Sequence, residues 1–580
     1  MPAMLKIFML YAVFLAALGI PSDIGAVPLD IRIRPVAFGQ PLLLDSLRYE
    51  KSGNETFSVS RLSYLVSGLA FQRPDGSWVK PELQAAWLDA FNRRNSFRVQ
   101  NVPSGRYVAM QFAIGLDAKT NNADPTSFPA GHPLNPAVNK LHWSWQGGYI
   151  FLALEGHYRA EGVRRGYTLH FARSANRTLI TMPMAINLQS ARGIHIDFDI
   201  TSLLAAPRPI VFSRDGSSTH SRKDDPLAAA LAANLPGAFR LRYIDSPGGE
   251  VAARPKTLPL YLPDQPQSFP FKMSATFPMP SLPRDNPLLR GRVELGRKLF
   301  SDTRLSRDGS LSCASCHLHN KAFTDGLAKS VGIEGRSGIR NSMPLFNLAW
   351  KDQFFWDGRA TSLRDQVTMP IENHLELDNS LDNVVTVLSA DALYKMAFSK
   401  AYGSPEITTE KIALALESFL LTLTSYDSKF DRAMAGKAEL SKQEKRGLEL
   451  FMTEYEPRSR QFGADCFHCH GGALFSDHDF HNNGLRLQAG DEGIGGGRFA
   501  TPSLRNVELT APYMHDGRFS SLEEVVAHYN SGLNRSEDLD PNLAKHPKGG
   551  LGLTKSDEAA LVAFLKALTD PKYTVGPKAP

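Results

Sequence analysis

All four cysteines of this 580-residue chain lie in two copies of one short pattern, Cys313-Ala-Ser-Cys316-His317 and Cys466-Phe-His-Cys469-His470. In C-x-x-C-H the two thiols add to the vinyl groups of a haem, and the histidine that follows becomes an iron ligand. Two matches that consume every thiol leave none for a disulfide scaffold. They point to two covalently attached c-type haems, with a pair of zinc or redox C-x-x-C sites as the competing reading. The N-terminus favours haem, because c-type attachment follows export. Lys6 precedes the apolar run Ile7 to Leu18, and a polar turn leads to Ala26. This is the pattern of a signal peptide over residues 1–26. The run is short for a membrane span, and no later stretch is long enough for one. The sequence therefore predicts an exported, periplasmic chain with no span in its mature part.

The two motifs divide the chain unevenly. From 27 to 245 apolar and polar residues alternate with period two, as in Leu29, Ile31 and Ile33, in Tyr107–Phe112, in Tyr167–Phe171 and in Ile194–Phe198. Turn formers such as Pro74-Asp75-Gly76 separate these runs, so an all-β, sandwich-like domain is expected, closed by a helix from Pro226 to Asn234. Residues 246–283 are rich in proline and read as an extended linker. Residues 284–580 read as mainly helical, with helical spacing from Ile412 to Phe430 and from Ser556 to Leu568, and Ser520 and Ser521 pair with Glu523 and Glu524 as capping boxes. The repeated motif suggests a duplicated unit, hence two cytochrome c-like lobes. The net charge of +6 comes without a dense basic run, which argues against nucleic acid as a partner.

Several further stretches make the C-terminal half specific. They are Leu295–Ser310 leading into the first motif, Phe355-Trp356-Asp-Gly-Arg-Ala, Cys466–Gly472, and Pro502–Gly517 ending in Met514-His515-Asp-Gly. This half resembles the bacterial di-haem cytochrome c peroxidase and MauG superfamily. The resemblance implies that hydrogen peroxide reacts at the first haem, held by His317, with Glu376 as the acid-base group. A carboxylate there can take a proton from peroxide and return it to the leaving oxygen. Gln366 and Pro370 stand at the family's spacing, and Trp356 would lie between the haems as a relay. The second haem would be held by His470 and Tyr529, where ordinary peroxidases carry a methionine. Met514 and His528 are the rival ligands. Tyrosinate favours high-valent iron, and the choice is similar to MauG and MbnH enzymes, which oxidise a protein tryptophan. The family also implies one calcium ion, with ligands at Asn341, Thr510 and Pro512.

The N-terminal half contains His142-Trp143-Ser-Trp145-Gln-Gly-Gly-Tyr149, with His132 upstream and His157 downstream. By period two, Trp143 and Trp145 share one face of a strand and His142 the other. The stretches Pro133-Leu-Asn135, Leu141–Gly156 and Asp225-Pro-Leu-Ala resemble the MbnP family of exported copper-binding proteins. That resemblance implies that a tryptophan, Trp143 or Trp145, becomes kynurenine and helps to bind one copper ion. His132, His142 and His157 are the candidate imidazole ligands, while His170, His195 and His220 remain open.

The expected function is therefore a di-haem peroxidase that oxidises a tryptophan in its own or a neighbouring β-rich domain to support copper binding. The alternatives are a peroxide-reducing enzyme fed by a small cytochrome or cupredoxin, and a non-enzymatic copper-binding and electron-transfer protein.

Overall fold

The computed structural model describes residues 25–51, 54–143, 147–189, 192–245, 260–456 and 460–574. Residues 1–24 of the expected signal peptide, and Trp145, lie outside them. Among the described residues no helix is long and apolar enough to cross a membrane.

Two sheets build the N-terminal domain around a common core. In the smaller sheet Ala26–Ala37 is central, parallel to Arg192–Asp199 with Ile31 opposite Ile194, and antiparallel to Ser96–Pro103. In the larger sheet Thr178–Leu188, Gly105–Ile114, Arg61–Gln72, Ile150–Ala160 and Val163–Ala172 lie side by side. Alternation places the core: Ile180, Met182, Met184, Ile186 and Leu188 are buried while the residues between them are exposed. The expected β-rich, sandwich-like domain is present. Its closing helix spans Pro226–Ala238 and begins where Asp225 accepts from the Leu227 and Ala228 amides.

Strand Ile150–Ala160 breaks the alternation, being buried over its first nine residues. Its outer face is covered by the C-terminal domain. The short helix Pro541–Ala544 lies on that face and on the neighbouring strand Val163–Ala172. Opposite His157 stands Gly166, and a Cβ on it would overlap the Pro541 carbonyl. Further ties cross the same seam, including Lys140 to Asp479 at 3.0 Å, Arg498 to Asp45 at 2.8 Å and His157 Nε2 to the Leu539 carbonyl at 2.6 Å.

The C-terminal domain repeats one packing device in two lobes. Helix Arg290–Phe300 crosses Thr409–Leu421 where Gly296 meets the Ala415 carbonyl with no room for a Cβ. Helix Lys442–Met452 crosses Lys555–Lys566 where Gly447 meets the Ala560 carbonyl in the same way. A haem-type motif follows each glycine-bearing helix, which bears out the duplicated unit.

Two expectations need correction. The apolar spacing from Ile412 to Phe430 is not one helix. The helix ends at Leu421, the Leu423 carbonyl pairs with the Asn347 amide at 2.8 Å, and a new helix starts at Lys429 under the Ser428–Asp431 capping box. Residues 260–283 are not a free spacer either. They form an irregular strap on the C-terminal domain: Phe277 is fully buried, Trp350 donates to the Pro278 carbonyl at 2.6 Å, and buried Arg292 donates to the Leu260 and Tyr261 carbonyls. Proline removed donors, not contacts.

Gly166→Ala should strain the seam by about 1–3 kcal/mol, the usual cost of forcing volume into a closed contact. Thermal unfolding should then show the β domain melting ahead of the haem domain. An unchanged melt would mean that the seam yields freely at this point.

Candidate haem slots and an interdomain histidine cluster

Cys313–Cys316 forms a single helical turn under a Ser312–Ser315 capping box. His317 follows, and its Nδ1 lies 2.7 Å from the Phe323 carbonyl. Donation there fixes the tautomer and keeps Nε2 for a metal. Burial also holds the ring below its usual pKa, so it is neutral and able to ligate. In the second lobe Phe467–His470 forms the turn, and His470 Nδ1 lies 3.2 Å from the Phe475 carbonyl. All four thiols are free. Each pair borders its own cavity, about 410 Å³ in the first lobe and about 200 Å³ in the second. Free thiol pairs, neutral imidazoles and mainly apolar slots fit two covalently held haems.

The first slot is lined by Glu376, Gln366 and Pro370 as well as His317. Asn373 donates to Glu376 Oε1 at 2.7 Å, and burial raises the carboxyl above its usual pKa. Gln366 Oε1 is buried without a hydrogen-bond partner. Trp356 and Asn341 border both slots, and the indole donates to the Asn341 carbonyl at 2.9 Å. The second slot is bordered by Tyr529, Met514, Thr510 and Pro512. Helix Leu522–Ala527, capped by Ser521 and Glu524, runs into a π-helical turn over His528–Gly532, which sets Tyr529 on the slot wall. Such turns cost hydrogen-bond geometry and are frequent at functional sites. His528 points elsewhere, its Nε2 lying 2.9 Å from the Asn483 carbonyl, and it does not border the slot.

In the β domain the predicted copper residues do not converge. His132 stacks on Phe128 and accepts from the Leu134 amide, His142 lies edge-on to Tyr149, and His157 bonds Leu539. His195 pairs with Asp245 at 2.9 Å, away from these. Trp143 is not on a strand either. Its amide donates to the Gly148 carbonyl, ahead of the strand that starts at Ile150.

A different set converges. One ring nitrogen each of His170, His220 and His468 lie within 4.8 Å of one another. His170 lies on the outer face of the strand pair, diagonal to Glu155, whose direct cross-strand partner is Thr168. His468 is the residue before the second cysteine of the second motif. Each ring meets a carboxylate: His170 Nε2 to Glu155 Oε1 at 2.9 Å, His220 Nδ1 to Glu454 Oε2 at 2.8 Å, and His468 Nε2 to Asp465 Oδ1 at 3.1 Å. His170 Nδ1 and His220 Nε2 are buried with no hydrogen-bond partner. Burial pushes His170 down to about 4, against the pull of Glu155, and lowers His468 as well. Burial alone would raise Glu155, but Arg61 and His170 outweigh it and keep it ionised. The Trp143 ring lies 5.5 Å from His220 and 6.1 Å from His170, and His220 lies 5.1 Å from His468. Imidazoles with carboxylates behind them suit a soft or borderline metal.

A family model described as di-haem cytochrome c peroxidase matches residues 290–439, and one described as MbnP matches residues 26–221. The methylamine utilization protein MauG of Methylorubrum extorquens is 38% identical over 300 residues, 49% of this chain and 80% of the relative. The cytochrome c551 peroxidase of Nitrosomonas europaea is 31% identical over 311 residues, 51% and 85% respectively. Among solved structures, a MauG-like protein associated with microbial copper homeostasis is 33% identical and covers 53% of this chain and 98% of its own, with a TM-score of 0.48.

Lys545 is buried between Glu454 Oε1 and Asp465 Oδ2, each at 3.0 Å. Glu454→Gln should cost about 3–5 kcal/mol in chemical denaturation, because it strands part of a buried charge. A loss below 1 kcal/mol, the range of an exposed pair, would show that water reaches the ammonium.

Proposed function

We propose, for a chain that belongs to the di-haem cytochrome c peroxidase family and carries an MbnP domain at its N-terminal end, that it spends peroxide on Trp143 of its own β domain and so prepares a copper site. The observation that carries this reading is the aromatic chain from the second haem motif to the indole: His468, His220 and Trp143, each ring within 5.5 Å of the next. When bound, the haems supply peroxide-dependent oxidising equivalents.

The chain's own residues divide the work. Glu376 exchanges the proton of peroxide, through Oε2, since Oε1 is engaged by Asn373. Trp356, on the wall of both slots, joins them. Tyr529, with His470, would hold the iron of the second haem; Met514 shares the slot wall, and His528 is turned away by its bond to Asn483. Calcium would be held near Asn341, Thr510 and Pro512, which share the wall of the second slot. At Trp143, two peroxides each break at the O–O bond and give one oxygen atom, one to C2 and one to C3 of the indole. The C2–C3 bond is cleaved, the other two oxygens leave as two waters, and the product is N-formylkynurenine. Hydrolysis then releases formate. The resulting arylamine, with His170 and His220, binds copper in the periplasm.

Peptide mapping after peroxide treatment of the purified di-haem protein should find the two-oxygen adduct, or kynurenine, at Trp143. Trp143→Phe should abolish the modification while leaving both haems attached. Modification confined to another tryptophan, or none, would overturn the reading.

Turnover should also carry the signature of Glu376. The carboxylate must be ionised to accept a proton and burial raises its pKa, so activity should fall as pH drops through a value above the ordinary carboxylate range. Glu376→Gln should remove that limb and lower the rate by roughly 10²–10⁴. Stopped-flow peroxide kinetics across pH measures both.

A further inference from the structure

Haem attachment leaves the identity of His468 unexplained. The C-x-x-C-H pattern fixes two cysteines and the last histidine, and the equivalent position in the first motif is Ser315. His468 nevertheless has a buried ring, with Nε2 held 3.1 Å from Asp465 Oδ1. Asp465 is in turn held by Lys545 at 3.0 Å and by His546 Nε2 at 2.8 Å. A carboxylate behind an imidazole orients it as a metal ligand and raises its basicity. The two rings it faces come from the other domain, and both have a buried nitrogen without a partner. Leaving such buried nitrogens without a partner is costly, so an occupant that satisfies them is favoured.

From this convergence we propose that His468 is a copper ligand, donated by the haem-attachment loop to a site whose other imidazoles, His170 and His220, belong to the β domain. The site is incomplete without the haem domain. This deepens the copper reading above and rests on it. All three rings carry a carboxylate on one nitrogen and are brought together by the docked seam, not by any one domain's fold. Three imidazole nitrogens suit Cu(I), which accepts three-coordinate nitrogen sets. The copper then sits against residues flanked by Cys466 and Cys469, the two anchors of the second haem. Release requires either loss of His468 or opening of the seam.

The test uses the full-length holoprotein and Cu(I) alone, in competition with a chromophoric Cu(I) chelator under anaerobic conditions. Wild type, His468→Ser, His468→Phe and His170→Ala are compared at equal haem content. Serine is the residue the first motif already carries in this position, so haem attachment should tolerate it. Both His468 variants are expected to bind at least about tenfold more weakly, with His170→Ala also impaired. X-ray absorption at the copper edge of the wild type is an arm that needs no variant, and three imidazoles are expected. Unchanged affinity in both His468 variants, with His170→Ala impaired, overturns the proposal and leaves the copper reading standing. So does a shell of two imidazoles in the wild type. No copper bound by the peroxide-treated wild type overturns the copper reading itself, and this proposal with it.

Discussion

Lys545 sits between Glu454 and Asp465 with almost no access to water. Taking three charges out of solvent costs several kcal/mol per ion unless geometry and further hydrogen bonds compensate. Here the compensation continues outward. Glu454 also meets His220 and Ser218 of the β domain, and Asp465 also meets His468 and His546. The ammonium pulls both carboxylates well below their usual range, although burial pushes them up. One buried cation therefore fixes two carboxylates, and these fix the tilt of two of the three converging imidazoles. Arg61 and Glu155 do the same for the third. The histidine cluster is a consequence of how the charges of the seam are neutralised.

The haem slots obey a simpler rule. In each, a backbone carbonyl a few residues beyond the motif takes the Nδ1 proton of the proximal histidine, Phe323 for His317 and Phe475 for His470. The shared wall between the slots is Trp356, held by a carbonyl rather than a side chain. An indole fixed to a backbone carbonyl cannot rotate without breaking that hydrogen bond. Membership makes the protein a di-haem peroxidase, and the shared indole gives its two slots one common wall.

Legibility from sequence followed the range of the interactions. The C-x-x-C-H motifs were readable because haem attachment imposes residue identity at fixed local spacing. The strands were readable because one face of each meets a core, as in Thr178–Leu188. Glu376, Trp356 and Tyr529 came from resemblance over short stretches, and all three border the slots. What failed depended on distant chain. His132, His142 and His157 cluster in sequence near Trp143, but the strand pleat and turn send them to different neighbours. His170 and His220 meet only because Val163–Ala172 pairs with Ser218–Thr219. His468 comes from another domain, and its only sequence signal is a histidine where haem chemistry asks for none. The strap over 260–283 was missed because proline-rich composition reports lost donors and says nothing about buried side chains such as Phe277.

The same physics bears on whether the two halves act on each other within one chain. Strand Ile150–Ala160 is buried on both faces, and exposing its outer face would uncover Glu155, His157 and His170 together with the Glu454–Lys545–Asp465 group. Separate partners would have to desolvate those charges at every encounter. Fusion makes the encounter intramolecular, so its effective concentration is set by the chain rather than by abundance. The desolvation is then met once, during folding, where the paired geometry compensates it. A seam of this kind selects against exchange: the tryptophan that faces the second haem loop is the one already docked there, and the cost of undocking favours the proposed reaction within one chain over exchange between chains.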